Sequence, residues 1–190
     1  GTPEVLTMDA GGRLDTGSGR IWVQNVAGEL TTHSVSGATR LAQVFGSVDA
    51  QTLSSDLDLD SIGGDRLVAS VNTGKIAGRR IRSRNVELTT VDGQIFLEAE
   101  VSLRGRMIVS TFRGDIDVRL RRNGVVFVRG RGTKVNLGAT SKTRQDGWVE
   151  TQLGGHVANA SPALVEMRSR AGIVQFAIIE LLFCTLISAP

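Results

Sequence analysis

Residues 17–68 read GSGRIWVQNVAGELTTHSVSGATRLAQVFGSVDAQTLSSDLDLDSIGGDRLV, with a repeat of nine positions. Small residues recur at Gly19, Gly28, Gly37, Gly46, Ser55 and Gly64. Two residues before most of them stands an aliphatic: Val26, Val35, Val44, Leu53 and Ile62. Two or four residues after them come Ile21, Val23, Leu30, Leu41, Val48, Leu57 and Leu59. These offsets keep a period of two, the pattern of a strand with one buried face. Glycine at a fixed phase supplies a bend or a close backbone approach that a Cβ would obstruct. One such unit cannot bury its apolar face alone, but stacked copies can. The stretch predicts an all-β fold, a single-stranded β-solenoid whose coils of 18–21 residues each hold two nonamers. Equivalent residues then stack about 4.8 Å apart. One interior ladder is expected from Val26, Val44 and Ile62, and another from Val35 and Leu53. Arg66 stands where the repeat calls for an aliphatic, so the register slips near it.

The rest of the chain extends this pattern as a single domain over residues 1–190. Residues 1–12 are a lead-in with one strand at Glu4–Met8. Residues 13–179 form the coils, looser in register from Val71 onward but still built from units such as VDGQIFL (91–97) and FRGDIDV (112–118). Residues 138–147 are polar and turn-rich, which reads as a loop. Trp148–Leu153 and Leu164–Arg168 read as further strands, and residues 169–176 as a last recurrence. Residues 180–190 form an apolar C-terminal cap or tail. The whole predicts roughly eight coils, a rod near 40 Å long at about 4.8 Å per coil.

Composition suits many short strands with tight bends: 23 Gly, 3 Pro and no Tyr in 190 residues. The single cysteine, Cys184, excludes an internal disulfide framework. The net charge of +3 is unevenly spread. Residues 1–70 hold 4 Lys/Arg and 9 Asp/Glu, a balance of −5; residues 71–170 hold 18 and 9, a balance of +9. In a solenoid, sequence order becomes position along the axis, so an acidic end and a basic end are expected. Such a rod suits head-to-tail association or docking on an anionic surface. The chain starts Gly1-Thr2 without Met, as a processed or trimmed chain would; no signal peptide is visible in it, and processing would have removed one.

The segment TGSGRIWVQNVAGEL (16–30), with SVSG (34–37) and RGDIDV (113–118), resembles bacterial adhesin-like families of β-strand repeats, domains without an assigned function. The resemblance covers residues 13–130 well and 131–180 loosely. It implies a right-handed β-helix at the bacterial cell envelope or outside the cell, and it carries over no catalytic residue. Bactofilins, cytoskeletal β-helices that polymerise end to end, are a more distant comparison.

Several stretches invite a chemical reading. Leu14-Asp15-Thr16-Gly17 resembles the aspartic-protease signature, whose chemistry needs two carboxylates sharing a proton. One copy is present, and the repeat already accounts for its glycines. Asp56, Asp58 and Asp60 alternate with leucines and offer oxygen ligands to calcium, but the glycine-rich repeat of calcium β-rolls is missing, so they read as a solvated outer face. His33 and His156 stand far apart and only one cysteine is present, which argues against zinc. No cofactor motif is found. Arg79, Arg80, Arg82 and Arg84 form the densest basic run; Arg104 and Arg106 follow, then Arg119, Arg121, Arg122, Arg129 and Arg131. Stacked, they would offer an anionic glycan or envelope surface a binding face. Nucleic acid fits poorly, because the aromatics needed for base stacking are not interleaved. Polysaccharide-cleaving β-helices carry clustered carboxylates and groove aromatics, which are sparse here.

The run Ile173–Ala189 is strongly apolar but 17 residues long, with Gln175 and Glu180 inside it. A membrane helix needs about 20 such residues. The run reads instead as a final strand and a cap, with Phe176, Ile178, Leu181, Leu182 and Phe183 as candidate oligomer contacts. The sequence thus points to a non-enzymatic, adhesin-like or scaffold solenoid displaying stacked side chains. A self-assembling structural protein, joined end to end or through the tail, is the alternative.

Overall fold

The computed structural model of the chain describes residues 4–8, 10–101, 104–121, 124–154 and 161–179. All regular structure among them is strand. The first coil is β1 (Glu4–Met8) and β2 (Gly12–Ser18), the second β3 (Ile21–Ala27) and β4 (Leu30–Ser36), the third β5 (Thr39–Phe45) and β6 (Val48–Ser54). The next two coils run through their corner as single strands, β7 (Leu57–Thr73) and β8 (Ile76–Asp92). Then come β9 (Ile95–Glu100), β10 (Arg106–Arg113), β11 (Ile116–Arg121), β12 (Val126–Arg131) and β13 (Lys134–Asn136). The chain continues through β14 (Lys142–Thr143) and β15 (Val149–Leu153) to β16 (Ala163–Ala171) and β17 (Ile173–Ile178).

Successive coils pair in parallel: Ile21 lies opposite Thr39, Thr39 opposite Leu57, Leu57 opposite Ile76, Ile76 opposite Ile95 and Ile95 opposite Ile116, in steps of 18, 18, 19, 19 and 21. This is the expected β-solenoid, with coils of about 19 residues and about 6 turns. The step lengthens from 18 to 19 residues where Val48 faces Leu67, so the extra residue falls at the slip expected near Arg66. The lead-in is already part of the stack, because β1 pairs along β3.

The expected core ladder of Val26, Val44 and Ile62 is in register and buried. The expected second ladder, Val35 and Leu53, is not interior. Val35 is 42% exposed and Leu53 50%. The cause is a kink carried by only one half of each coil. Asn25, Gln43, Ser61 and Arg80 all take left-handed backbone, with φ between 53° and 57°. That residue has no strand partner and shifts the inward–outward alternation by one position, turning Val26, Val44, Ile62 and Ile81 inward. The other half alternates without a break, so Leu30, Thr32 and Ser34 point in and Val35 points out. The buried ladder at its corner end is Ser34, Thr52, Val71, Thr90, Thr111 and Ser169. The hydroxyls close the glycine corners: Thr111 donates to the Gly93 carbonyl at 3.2 Å and Ser169 to that of Gly114 at 2.8 Å. Leu53→Thr is accordingly expected to change stability by no more than about 0.5 kcal/mol, as an exposed substitution does. A urea titration followed by circular dichroism checks this.

The glycine repeat builds two corner columns. In one, a Cβ on Gly37 (φ +134°) would lie 2.0 Å from the carbonyl oxygen of Gly19, one coil below. Backbones touch there, which is why the phase of nine is kept.

The expectation of eight sequential coils fails at the C-terminal end. β10 pairs on one side with β8 and on the other with β16, not with β12. β11 pairs with β9 and with β17. β12 and β13 lie one rung further out, on β16 and β17. The last recurrence of the repeat therefore forms a rung between segments that precede it in sequence. The stretch 138–147 is not wholly loop either: β14 and β15 run antiparallel and cover the outer edge of β12. Phe176 is 8% exposed and packs inside the chain's own core opposite Val118, so it is not presented to a partner. Ile178 is half-buried, while Leu181, Leu182 and Phe183, like the proposed cap at 180–190, lie outside the described residues. No helix among the described residues is long and apolar enough to cross a membrane.

Candidate functional site

Outward-facing residues of this rearranged end meet in one place. β12 and β16 lie side by side, with Arg129 opposite Glu166 and Arg131 opposite Arg168. β15 flanks β12, and a tight turn delivers Trp148 just before it. In that turn Gly147 takes φ +80°, the Arg144 amide donates to the Trp148 carbonyl at 2.7 Å, and the Trp148 amide donates to Asp146 Oδ1 at 3.3 Å. The Arg144 guanidinium also donates to Glu150 at 3.1 Å, which raises the Arg144 pKa further above its ordinary value. The indole lies 5.0 Å from the Arg129 guanidinium carbon and 5.1 Å from that of Arg168. Such cation–π contacts orient a guanidinium while leaving donors available.

Beneath them sits Glu166, 3% exposed. Its carboxylate accepts from Arg129 Nε at 2.8 Å and also pairs with Arg168. A buried carboxylate is tolerated only when paired in this way. Further along the same strand, Arg170 covers the ring of Phe112, which lies one rung lower on β10, at 4.8 Å. The result is a cleft of about 390 Å³ lined by Thr111, Arg131, Thr133, Trp148, Arg168 and Arg170, with Gly132 and Ser169 alongside. Arg131 and Arg170 pair with no carboxylate among the described residues. The cleft therefore carries net positive charge on stacked rungs, with an aromatic wall.

The expected arginine face is largely neutralised at its start. Arg79 lies 3.6 Å from Asp58, Arg80 pairs with Asp60, and Arg82 lies 3.1 Å from Glu100. Arg121 pairs with Glu98, Arg113 with Asp92 and Arg119 with Asp117. Exposed pairs of this kind add little stability, but they lower the local potential. Arg84, Arg104 and Arg106 have no such partner among the described residues, and Arg106 shares a smaller depression of about 150 Å³ with Arg66 and Asn85. Asp56, Asp58 and Asp60 are engaged by the Lys75 amide, by Arg40 and Arg79, and by Arg80. No group of three metal-ligating side chains stands together among the described residues. Asp15 accepts from Arg13 Nε at 2.8 Å, which holds its carboxyl below the usual carboxylate range, the opposite of what a shared proton needs.

Comparison of the chain with protein-family models, with curated proteins and with solved structures returns no match.

Arg129 and Arg131 were within the basic run already marked in the sequence. Trp148, Glu166, Arg168 and Arg170 lie outside that run. For the last three the sequence signal is the alternation Glu166-x-Arg168-x-Arg170, which puts three charged groups on one strand face.

Proposed function

We propose that this protein is a non-enzymatic, envelope-associated solenoid that binds an anionic saccharide in the cleft beside Trp148. The observation that carries this reading is the set Arg131, Arg168 and Arg170 converging on one aromatic-walled cleft, held by strands rather than loops. Guanidinium forks match carboxylate, sulfate and phosphate oxygens two at a time. Carbohydrate rings present apolar C–H faces to which indole is complementary. The resemblance of residues 13–130 to adhesin-like repeats supports the envelope placement.

The test is calorimetric titration with oligogalacturonate and a sulfated oligosaccharide, against neutral dextran. The anionic ligands are expected to bind, and the double variant Arg131→Ala/Arg170→Ala to bind at least about tenfold more weakly, since charge-assisted hydrogen bonds contribute about 1.5–3 kcal/mol each. Affinity should fall as salt rises. Equal affinity for dextran, or an unchanged double variant, would sink the reading. Self-assembly is the second reading. β1 and β2 have strand partners on one side only among the described residues, and unpaired edges invite pairing.

A further inference from the structure

The described chain contains one rung out of sequence order. Residues 106–136 build a slot with β10 and β11 on one side and β12 and β13 on the other. The segment 163–178 fills it. All of its strand partners belong to the slot: Met107 and Val128 flank Val165, and Ile116 and Val135 flank Val174. Val165, Met167 and Val174 are fully buried there. Ser169 and the Ile173 amide add hydrogen bonds of 2.8 Å to the Gly114 carbonyl and to Asp115. Slot and filler are therefore separate, fully complementary pieces of one chain.

We propose that the slot also accepts the 163–178 segment of a second copy of this chain, so that two copies exchange the segment reciprocally into a dimer. Three features support this. Each contact made within one chain is reproduced when the filler comes from an identical chain, which makes exchange a low-cost route to a dimer. The residues of both walls precede the filler in the chain, and until it arrives the facing edges of β10–β11 and of β12–β13 lack partners. The connection is also longer than closure requires. Leu153 and Ala163 lie on either side of Val126, two strand spacings or about 10 Å apart. Residues 154–162 between them can extend to roughly 30 Å, enough to reach a neighbouring copy. This exchange is independent of saccharide binding, although both involve β16.

A cross-linking experiment tests it. Arg119 and Ala177 are opposite one another on β11 and β17 and both face outward. In a Cys184→Ser background, one population carries Arg119→Cys and another Ala177→Cys. The two are mixed, unfolded, refolded together at near-millimolar concentration and oxidised. Exchange places the two new thiols side by side across chains, so a disulfide-linked dimer of doubled mass is expected in the mixture and not in either population alone. The unmodified chain gives the second readout: light scattering after refolding should show a dimer fraction that rises with concentration. Monomer at every concentration overturns the proposal. So does a dimer of the unmodified chain whose mixture forms no Arg119→Cys/Ala177→Cys link, because that dimer associates without exchange.

Discussion

Gly114→Ala is expected to destabilise the protein by on the order of 4 kcal/mol, combining roughly 1–3 kcal/mol of backbone strain with a similar cost of overlap. Gly114 sits at φ +142°, which L side chains rarely adopt, and an added Cβ would lie 2.0 Å from the Gly93 carbonyl oxygen. That oxygen is main chain. It belongs to a corner held by the Gly93 amide donating to Arg113 and the Ile95 amide donating to Asp115, both at 2.9 Å. Nothing there can swing aside. The rung above presses equally closely, because a Cβ on Gly172 would lie 1.9 Å from the Gly114 oxygen. Ser55 occupies the same column without a positive φ, and its hydroxyl donates to the Gly37 carbonyl at 2.7 Å. Gly17 is the control, since a Cβ there meets nothing within 4 Å. Urea unfolding of Gly114→Ala beside Gly17→Ala decides the matter. Equal midpoints for the two would mean that the corners are not in backbone contact.

Glu166→Ala comes next, with an expected loss of about 2–3 kcal/mol. Removing one member of a buried pair costs about 3–5 kcal/mol. The figure is reduced here because Arg129 is 33% exposed at its side chain and Arg168 more so, which lets water take over part of the lost pairing. For a chain of this length each kcal/mol moves the midpoint by about 2–4 °C, so thermal melting should fall by roughly 4–12 °C. Arg168→Ala should cost much less, because Glu166 keeps Arg129. A double-mutant cycle between Arg129→Ala and Glu166→Ala should return a coupling of at least about 1 kcal/mol. Additive effects would show that the carboxylate does not hold the cleft together. Glu166→Ala also frees Arg168 from the position in which it faces Trp148, so the proposed saccharide binding should weaken even though the net charge becomes more positive.

Much of this fold is written locally. A period of nine and aliphatics at even offsets from small residues are properties of short stretches, and they lead directly to stacked parallel strands with two glycine corners. The interior ladder Val26–Val44–Ile62 follows from the same reasoning. Val35 and Leu53 do not, because their orientation depends on whether their half of the coil carries a left-handed kink. Asn25, Gln43, Ser61 and Arg80 take that conformation with four different side chains, so no residue type announces it. Tertiary stacking imposes it on each coil from the coil beneath.

The charges divide in the same way. Their number and drift along the chain are plain in the sequence. Their pairing is not, because Asp58 and Arg79, Asp60 and Arg80, or Arg82 and Glu100 meet only once a coil of about 19 residues has closed.

Sequence alone determined the strands, their parallel stacking and the near-constant coil length, since each depends on contacts between residues at a repeating spacing. Tertiary structure alone decided which rung lies next to which at the C-terminal end, and with it the cleft. The rung 163–178 fits between β10–β11 and β12–β13 because all these segments share one inward–outward alternation. A period that suits several neighbours equally cannot specify which of them a strand will have; that choice rests on corner contacts such as Gly172 over Gly114, made across 58 residues of chain.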